Sequence, residues 1–247
     1  ADAFNRMLER LERAFEQQSR FVADAAHELR TPLANLRTNL EVVQQDPQAS
    51  FSDYKEMSAV LERTLSRLEK LVEDLLLLAK GEREIETEPV EMEVLLNEII
   101  QEIEPLARTH QIEVSFHTTE PVIVMADPPL LSRAIGNLLE NGIRYNHPGG
   151  SVTVGVRYVT TGVEIDVKDT GIGIPLEAQP HIFERFYRVG RSRTRDQGGS
   201  GLGLSIAAHI IQLHGGNIRF QSAPGMGTNF TIWLPGIANE MTDDPQS

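Results

Sequence analysis

The chain of 247 residues contains no cysteine. Disulfides, thiol nucleophiles and cysteine-ligated zinc are therefore excluded, a composition that fits a reducing compartment. Lysine is scarce: Lys55, Lys70, Lys80 and Lys168 are the whole complement, and none completes a GxxxxGK[ST] phosphate loop. Long apolar runs are missing too. LLLLA at 75–79 is as long as any, against the roughly 18–20 residues that span a bilayer, and the opening residues do not read as a charged-then-apolar leader. Positive charge is in deficit. Lys+Arg number 23 against 36 Asp+Glu, a net charge of −13, which argues against nucleic acid or anionic lipid as a partner of the whole surface. Basic residues do gather once, in RVGRSRTR at 188–195.

What is present begins with helical periodicity. Phe4, Leu8, Leu11, Phe15, Val22, Ala25, Leu29, Leu36 and Val43 follow an alternating four-then-three spacing, broken at Gln18, Pro32 and Asn39, which predicts a coiled-coil-like seam. After the turn signal QQDPQAS, the positions Tyr54, Ser58, Leu61, Leu65, Leu68, Val72, Leu75 and Ala79 repeat the spacing. Two long helices in a hairpin are expected. Met57, Leu71, Leu76 and Leu78 widen the second apolar face beyond what one partner helix covers, so the expectation is a dimeric four-helix bundle.

The stretch GEREIETEP at 81–89 reads as a linker, and a second domain starts near Val90. Its expected order is a helix over 91–109, strands near 112–117 and 122–126, and a helix over 128–145. SVTVGVRYV and VEIDVKD then alternate about a TTG turn, the signature of a hairpin. A glycine-rich loop, a helix near 203–214 and strands near 217–222 and 228–234 complete an α+β pattern with sheet on one side and helices on the other. The tail from residue 236 reads as disordered.

Chemistry concentrates in a few motifs. In AAHELRTPL, at 25–33, the seam frame puts His27 on the side away from the seam with Thr31 one turn on, and Pro32 removes an amide donor and should bend the helix there. An exposed histidine on a helix is ordinarily just a solvated side chain. A neighbouring carboxylate, arginine and hydroxyl instead suit a nucleophile with a handler for its proton. Zinc-protease chemistry needs HExxH, but Thr31 stands where the second His belongs, and no GxSxG elbow supports a serine hydrolase. Further on, DTGIGIP, GGSGLGL and GMGTNF are turn-formers at the least, and the first lacks the third glycine of a dinucleotide fold. GNLLENGIRY, at 136–145, sets Asn137 and Asn141 four apart on one helical face, followed by Arg144 and Tyr145. Amide oxygens are hard ligands suited to Mg²⁺, while one buried Asn by itself more often satisfies a turn.

Together these motifs resemble the cytoplasmic part of bacterial sensor histidine kinases. HELRTP is similar to the phosphoacceptor box, NLLENGIRY to the N box, DTGIGIP, GGSGLGL and GMGTNF to three glycine boxes, and FERFYR to the F box. The resemblance spans residues 20–235, and the opening ADAFNRMLERLE is similar to the last helix of a HAMP module. The implied fold is an all-α helical hairpin forming a dimeric four-helix bundle, followed by an α+β sandwich of the GHKL or Bergerat ATP-binding type. The implied division is a HAMP-like helix remnant at 1–18, a dimerisation and phosphotransfer hairpin at 19–82, a linker at 83–90, an ATP-binding catalytic domain at 91–235 and a tail at 236–247.

The resemblance also implies an activity, in which His27 takes the γ-phosphoryl group of ATP and passes it to an aspartate of a response regulator receiver domain. Glu28 would orient His27 or take its proton, Arg30 would support the same site, and Thr31 would position a water for dephosphorylating the partner. Asn141 is the expected Mg²⁺ ligand and Asn137 supports the phosphate region. Arg144 would meet phosphate oxygens, Tyr145 would flank the adenine, and Asp169 would accept from the adenine amino group. Gly171 and Gly173 belong to the first glycine box; Gly199, Gly201, Leu202 and Gly203 to the hinge and helix start after the lid; Arg188 is the expected lid contact to the γ-phosphate. A solvated histidine, with an ordinary pKa of about 6.5, offers a neutral imidazole near pH 7. The implied protein is a homodimer on the cytoplasmic side of the bacterial inner membrane, reaching the membrane only through an upstream sensor segment. Two other readings stand beside this one, a GHKL-type ATPase and a dimeric adaptor whose nucleotide domain has decayed. Gyrase-type ATPases carry a Glu four residues before the metal-binding Asn, where this chain has Asn137. Gly142 stands where the N box usually has Ala.

Overall fold

The computed structural model describes residues 2–46, 50–79, 85–189 and 199–236, which fall into two compact units divided between Lys80 and Gly81. In the first unit α1 (Asp2–Gln45) and α2 (Phe51–Ala79) pack on one another as a helical hairpin. α1 is a single helix through Pro32, so the opening residues and the HELRTP motif share one element. A reciprocal cap starts α2. Ser50 donates from its backbone N and its hydroxyl to Asp53 Oδ2 at 2.7 and 2.8 Å, and the Asp53 N–H lies 3.4 Å from Ser50 Oγ. These bonds, the backbone one first, hold the Asp53 carboxyl below its ordinary value.

The sheltered stripe on α2 differs from the expected seam. Met57, Leu61, Thr64, Leu68, Leu71, Leu75 and Leu78 are half-buried or buried, whereas Tyr54, Ser58, Leu65, Val72 and Ala79 are exposed. The two stripes share Leu61, Leu68 and Leu75. Spacing did not discriminate between them because leucines continue around the helix, and the face that does not turn inward keeps Leu65 and Leu76 at 52% and 54% exposure. On α1, Phe4, Leu8, Leu11, Phe15 and Val22 are likewise exposed.

Among its described residues the second unit runs β1 (Glu88–Glu91), α3 (Met92–His110), β2 (Glu113–Thr118), β3 (Ile123–Ala126), α4 (Pro128–Arg144), β4 (Ser151–Val159), β5 (Gly162–Asp169), α5 (Gly203–Leu213), β6 (Asn217–Ser222) and β7 (Thr228–Pro235), with a 3-10 turn at Gln179–His181. Five strands form a mixed sheet in the order β2-β4-β5-β7-β6, with β2 parallel to β4 and the other pairs antiparallel. β1, which overlaps the end of the stretch that reads as a linker, pairs antiparallel with β3 instead. Pro89 and the flanking acids disguise it, and both suit a short edge strand.

Alternation decides the faces of the large sheet. Val152, Val154 and Val156 of β4 and Val163, Ile165 and Val167 of β5 are buried on one side, where α4 packs against both α3 and α5. The opposite side carries a polar ladder. Arg157 reaches both Asp166, at 2.5 Å, and Glu164, whose other oxygen takes Arg219 at 2.7 Å. Burial alone would raise the Asp166 carboxyl, but hydrogen bonds from Thr231, Arg157 and Asn229 and the Arg157 charge together hold it below its ordinary value.

Helix α4 is fixed at its start by two devices. The Asp127 side chain accepts from the Leu130 N–H at 3.0 Å, with prolines in the first turn. Buried His214, at the end of α5, accepts the Asp127 N–H on Nε2 at 3.0 Å while its Nδ1 lies 2.8 Å from the Ile210 carbonyl. One imidazole therefore staples the end of α5 to the start of α4.

Candidate functional site

His27 sits on α1 with an exposed side chain, while the next residue, Glu28, is half-buried. Thr31 is exposed and its hydroxyl donates to the His27 carbonyl at 3.2 Å. That bond ties the threonine to the helix where Pro32 interrupts the amide ladder. The HELRTP motif thus presents an accessible imidazole on α1. Among the described residues no cluster of three or more His, Asp or Glu could hold a metal ion.

In the second unit the glycine motifs and the end of α4 lock together. A Cβ on Gly171 would fall 2.3 Å from the Tyr145 carbonyl, which also accepts the Ile172 N–H at 3.0 Å. Gly173, at φ +66°, and Gly227, at φ +76°, press against the carbonyls of Ala223 and Asp169, about where a side chain would stand. The first and third glycine motifs are then bridged by Ser222, whose hydroxyl accepts from Ile174 N at 2.8 Å and meets Thr228 Oγ1 at 2.9 Å.

Asp169 ends β5 at the centre of this lock and is buried. Its Oδ1 accepts the Gly171 N–H at 2.8 Å and the Thr228 N–H at 3.1 Å, and no described residue donates to Oδ2. Burial raises the carboxyl above its ordinary value, and the two backbone bonds pull against that rise. Gly142 belongs here as well. A Cβ on it would meet both Val152 methyls at 3.2 and 3.3 Å and Asp169 Cβ at 3.4 Å, so the glycine lets α4 approach the two strands.

Asn137 lies five residues before Gly142 on α4, buried, with no partner for its Nδ2 among the described residues. A Cβ on Gly203, the first residue of α5, would be 3.6 Å from Asn137 Oδ1, and one on Gly199 would be 3.8 Å from the Tyr145 hydroxyl. The second glycine motif is therefore beside the asparagine face, and α5 begins there after the fully buried Leu202. Asn141 is half-buried, one turn beyond Asn137 on the same face. Tyr145 is 38% exposed. Arg144 is held by Glu140, whose Oε1 accepts from Nη2 at 2.8 Å and Nε at 2.9 Å.

The F-box phenylalanines have separate tasks. Phe183 packs edge-on to Phe220 and Phe230, with centroids at 5.9 and 6.4 Å. Phe186 adopts φ +63°, uncommon for an aromatic residue, and its N–H donates to the Gly201 carbonyl at 2.9 Å. Gly201, at φ +74°, touches the Phe186 backbone where any Cβ would clash. Arg188 is half-buried just beyond. Arg191, Arg193 and Arg195 lie outside the described residues, as do 81–84 of the expected linker and the tail from 237.

Comparison with known proteins meets this geometry from two directions. Residues 17–84 match the His Kinase A (phospho-acceptor) domain, and residues 126–237 match the histidine kinase-, DNA gyrase B- and HSP90-like ATPase family. The sensor protein CutS of Streptomyces coelicolor is 40% identical over 237 residues, 95% of this chain and 57% of CutS. A solved mycobacterial sensor histidine kinase, MprB, is 35% identical with a TM-score of 0.51, covering 61% of this chain and 97% of that one. The chain belongs to the sensor histidine kinases. A solved complex of the histidine kinase ThkA with the response regulator protein TrrA superposes with a TM-score of 0.68 at 26% identity, covering 94% of this chain and 64% of that one. The chain spans about half the length of the curated relatives it matches, 50% of one and 57% of another. No described helix is long and apolar enough to cross a membrane.

Against this family frame, the structure brings Asn137, Tyr145, Asp169, Gly171, Gly199 and Gly203 into one neighbourhood. It also adds residues that the motif reading did not name as site residues. Thr228 was legible only as part of a glycine box, and its amide contact to Asp169 is a tertiary event. Glu140 had a visible signal, its i,i+4 spacing to Arg144. The positive φ of Phe186 had none.

Proposed function

We propose that the chain autophosphorylates His27 from ATP and passes the phosphoryl group to an aspartate of a receiver domain. One paired observation carries the nucleotide half. Asp169 is buried and pinned through Oδ1, with no described donor on Oδ2, and Asn137 is buried with an unpartnered Nδ2 beside the start of α5. A buried carboxylate and a buried amide are costly unless something pairs with them. An adenine amino group would donate to Asp169, and phosphate oxygens would accept from Asn137 and from the amides that open α5.

The residues also fit magnesium. Asn141 offers one hard amide oxygen, and Mg²⁺ ordinarily takes few protein ligands because substrate phosphates and water supply the rest. When bound, the ion would neutralise charge on the transferring phosphate. The remaining work falls to the chain. His27 attacks the γ-phosphorus through one ring nitrogen, the bond to the β-phosphate oxygen breaks, and ADP leaves. Glu28 orients the imidazole and takes the proton from the other ring nitrogen. Positioning and charge supply most of the acceleration in such transfers. The accessibility of His27 suits a second transfer to a receiver aspartate, and Thr31 would orient a water for dephosphorylating that partner. The ThkA–TrrA complex supports a response regulator as the partner. The exposed apolar stripes of α1 and α2 support a second copy of the hairpin as their cover. Asn137, where an ATPase would hold a carboxylate, disfavours transfer to water.

The test is incubation with magnesium and γ-labelled ATP, then with a receiver domain. The label should enter the wild-type chain, vanish in His27→Ala and Asn141→Ala, and move to the receiver. ATP consumption without protein labelling would move the assignment to an ATPase, and nucleotide binding with neither activity would indicate an adaptor.

A further inference from the structure

Residues 137, 140, 141 and 144 of α4 recur at spacings of three and four, so they share one helical face. Two are amides, one is a cation, and Glu140 is an acid among them. Its carboxylate oxygen Oε1 accepts from both Nη2 and Nε of Arg144, at 2.8 and 2.9 Å, and the two side chains are 28% and 25% exposed. Water screens such a pair less than it screens an ion pair at the open surface.

An acid on this face is at odds with a polyphosphate ligand. Any nucleotide phosphate that engages Arg144 must share the guanidinium with Glu140 and must approach a second negative charge. Helix formation does not explain the acid, since an i,i+4 pair adds only a few tenths of a kcal/mol to a helix and α4 already buries Leu131, Ala134, Ile135, Leu138, Leu139 and Ile143.

We propose that Glu140 is an affinity-limiting counter-charge: it compensates Arg144 when no nucleotide is bound and competes with the phosphates for the guanidinium. The site therefore holds ADP more weakly than its amides and cation alone would, and product leaves sooner. Glu140 is in this sense a positioning residue, acting through Arg144 on the bound nucleotide. The inference rests on the proposed nucleotide site and adds a property that the site could lack.

A double-mutant cycle on the full chain reads it, using titration calorimetry with ADP and, as a phosphate-free probe, adenosine. Glu140→Gln should tighten ADP by roughly three- to tenfold and leave adenosine within twofold. In an Arg144→Ala background the same change should leave ADP binding within twofold. ADP binding that is unchanged or weaker in Glu140→Gln overturns the proposal, as does a gain shared by adenosine or one that persists without Arg144. Adenosine also serves as the folding control, because a misfolded variant would lose it. A wild-type chain that binds neither probe overturns the nucleotide site itself, a failure distinct from a cycle without coupling.

Discussion

Asp169 faces two opposed demands. Its carboxyl is raised by burial, so the folded chain holds that proton more tightly than the unfolded chain does. By linkage, the stability it contributes is present below the ordinary aspartate value and lost as pH rises through the raised folded value, leaving a buried charge as a cost at neutral pH. Asp169→Asn keeps an oxygen for the Gly171 and Thr228 amides and removes that charge. It should raise the thermal midpoint of the ligand-free chain and abolish ATP binding, read by calorimetry on one sample. A lowered midpoint would mean that the carboxylate holds the loops together rather than waiting for a ligand. Gly142 balances two terms as well. Gly142→Ala gains about 1 kcal/mol of helix propensity, but its methyl would crowd Val152 and Asp169 at 3.2–3.4 Å. Net stability should shift by less than about 1 kcal/mol while nucleotide affinity falls, since the strain bears on Asp169. Denaturant titration and a binding isotherm separate the two effects.

At the scale of elements, legibility followed the clarity of each period. The β4–β5 hairpin is visible because valine and isoleucine alternate with polar residues about TTG, and its buried face is the one the alternation marks. β1 was not visible, because four residues with a proline and flanking acids carry no period, and its pairing to β3 is a tertiary choice. The α2 stripe was half legible. Leucine on most sides of a helix leaves the inward face to the partner, and Leu65 and Val72 lie outward. Outward apolar positions on a hairpin should matter for association more than for folding. Leu65→Glu with Val72→Glu is expected to shift the chain from dimer to monomer in analytical ultracentrifugation while helicity persists; loss of helicity would place both residues in the hairpin's own core. The His214 staple between α4 and α5 was invisible in sequence, since Asp127 and His214 are 87 positions apart. His214→Ala takes the acceptor from the half-buried Asp127 N–H and should cost about 1–3 kcal/mol, measured by urea unfolding of the second unit.

At the scale of the whole molecule, the division of labour was more legible than the detail of either part. The acceptor motif and the nucleotide motifs fall in different units, joined between Lys80 and Gly81, and chemistry that needs both cannot be read from one alone. The order of the motifs therefore named the family, while distances such as Asp169 to Thr228 and Asp127 to His214 were left to folding. The chain as a whole is acidic, at a net −13, consistent with holding the proposed nucleotide through a few built contacts rather than by overall attraction.

The central claim is that His27 carries the phosphoryl group, and one peptide tests it. Cleavage after Arg20 and Arg30 releases residues 21–30, FVADAAHELR, which contain one histidine and no serine, threonine or tyrosine. After incubation with magnesium and ATP and digestion at neutral pH, mass spectrometry should find a phosphate on this peptide that survives base and is lost in acid. A base-labile phosphate there would point to the acyl groups of Asp24 or Glu28. Phosphate on another peptide, or none while ATP is consumed, would contradict the account.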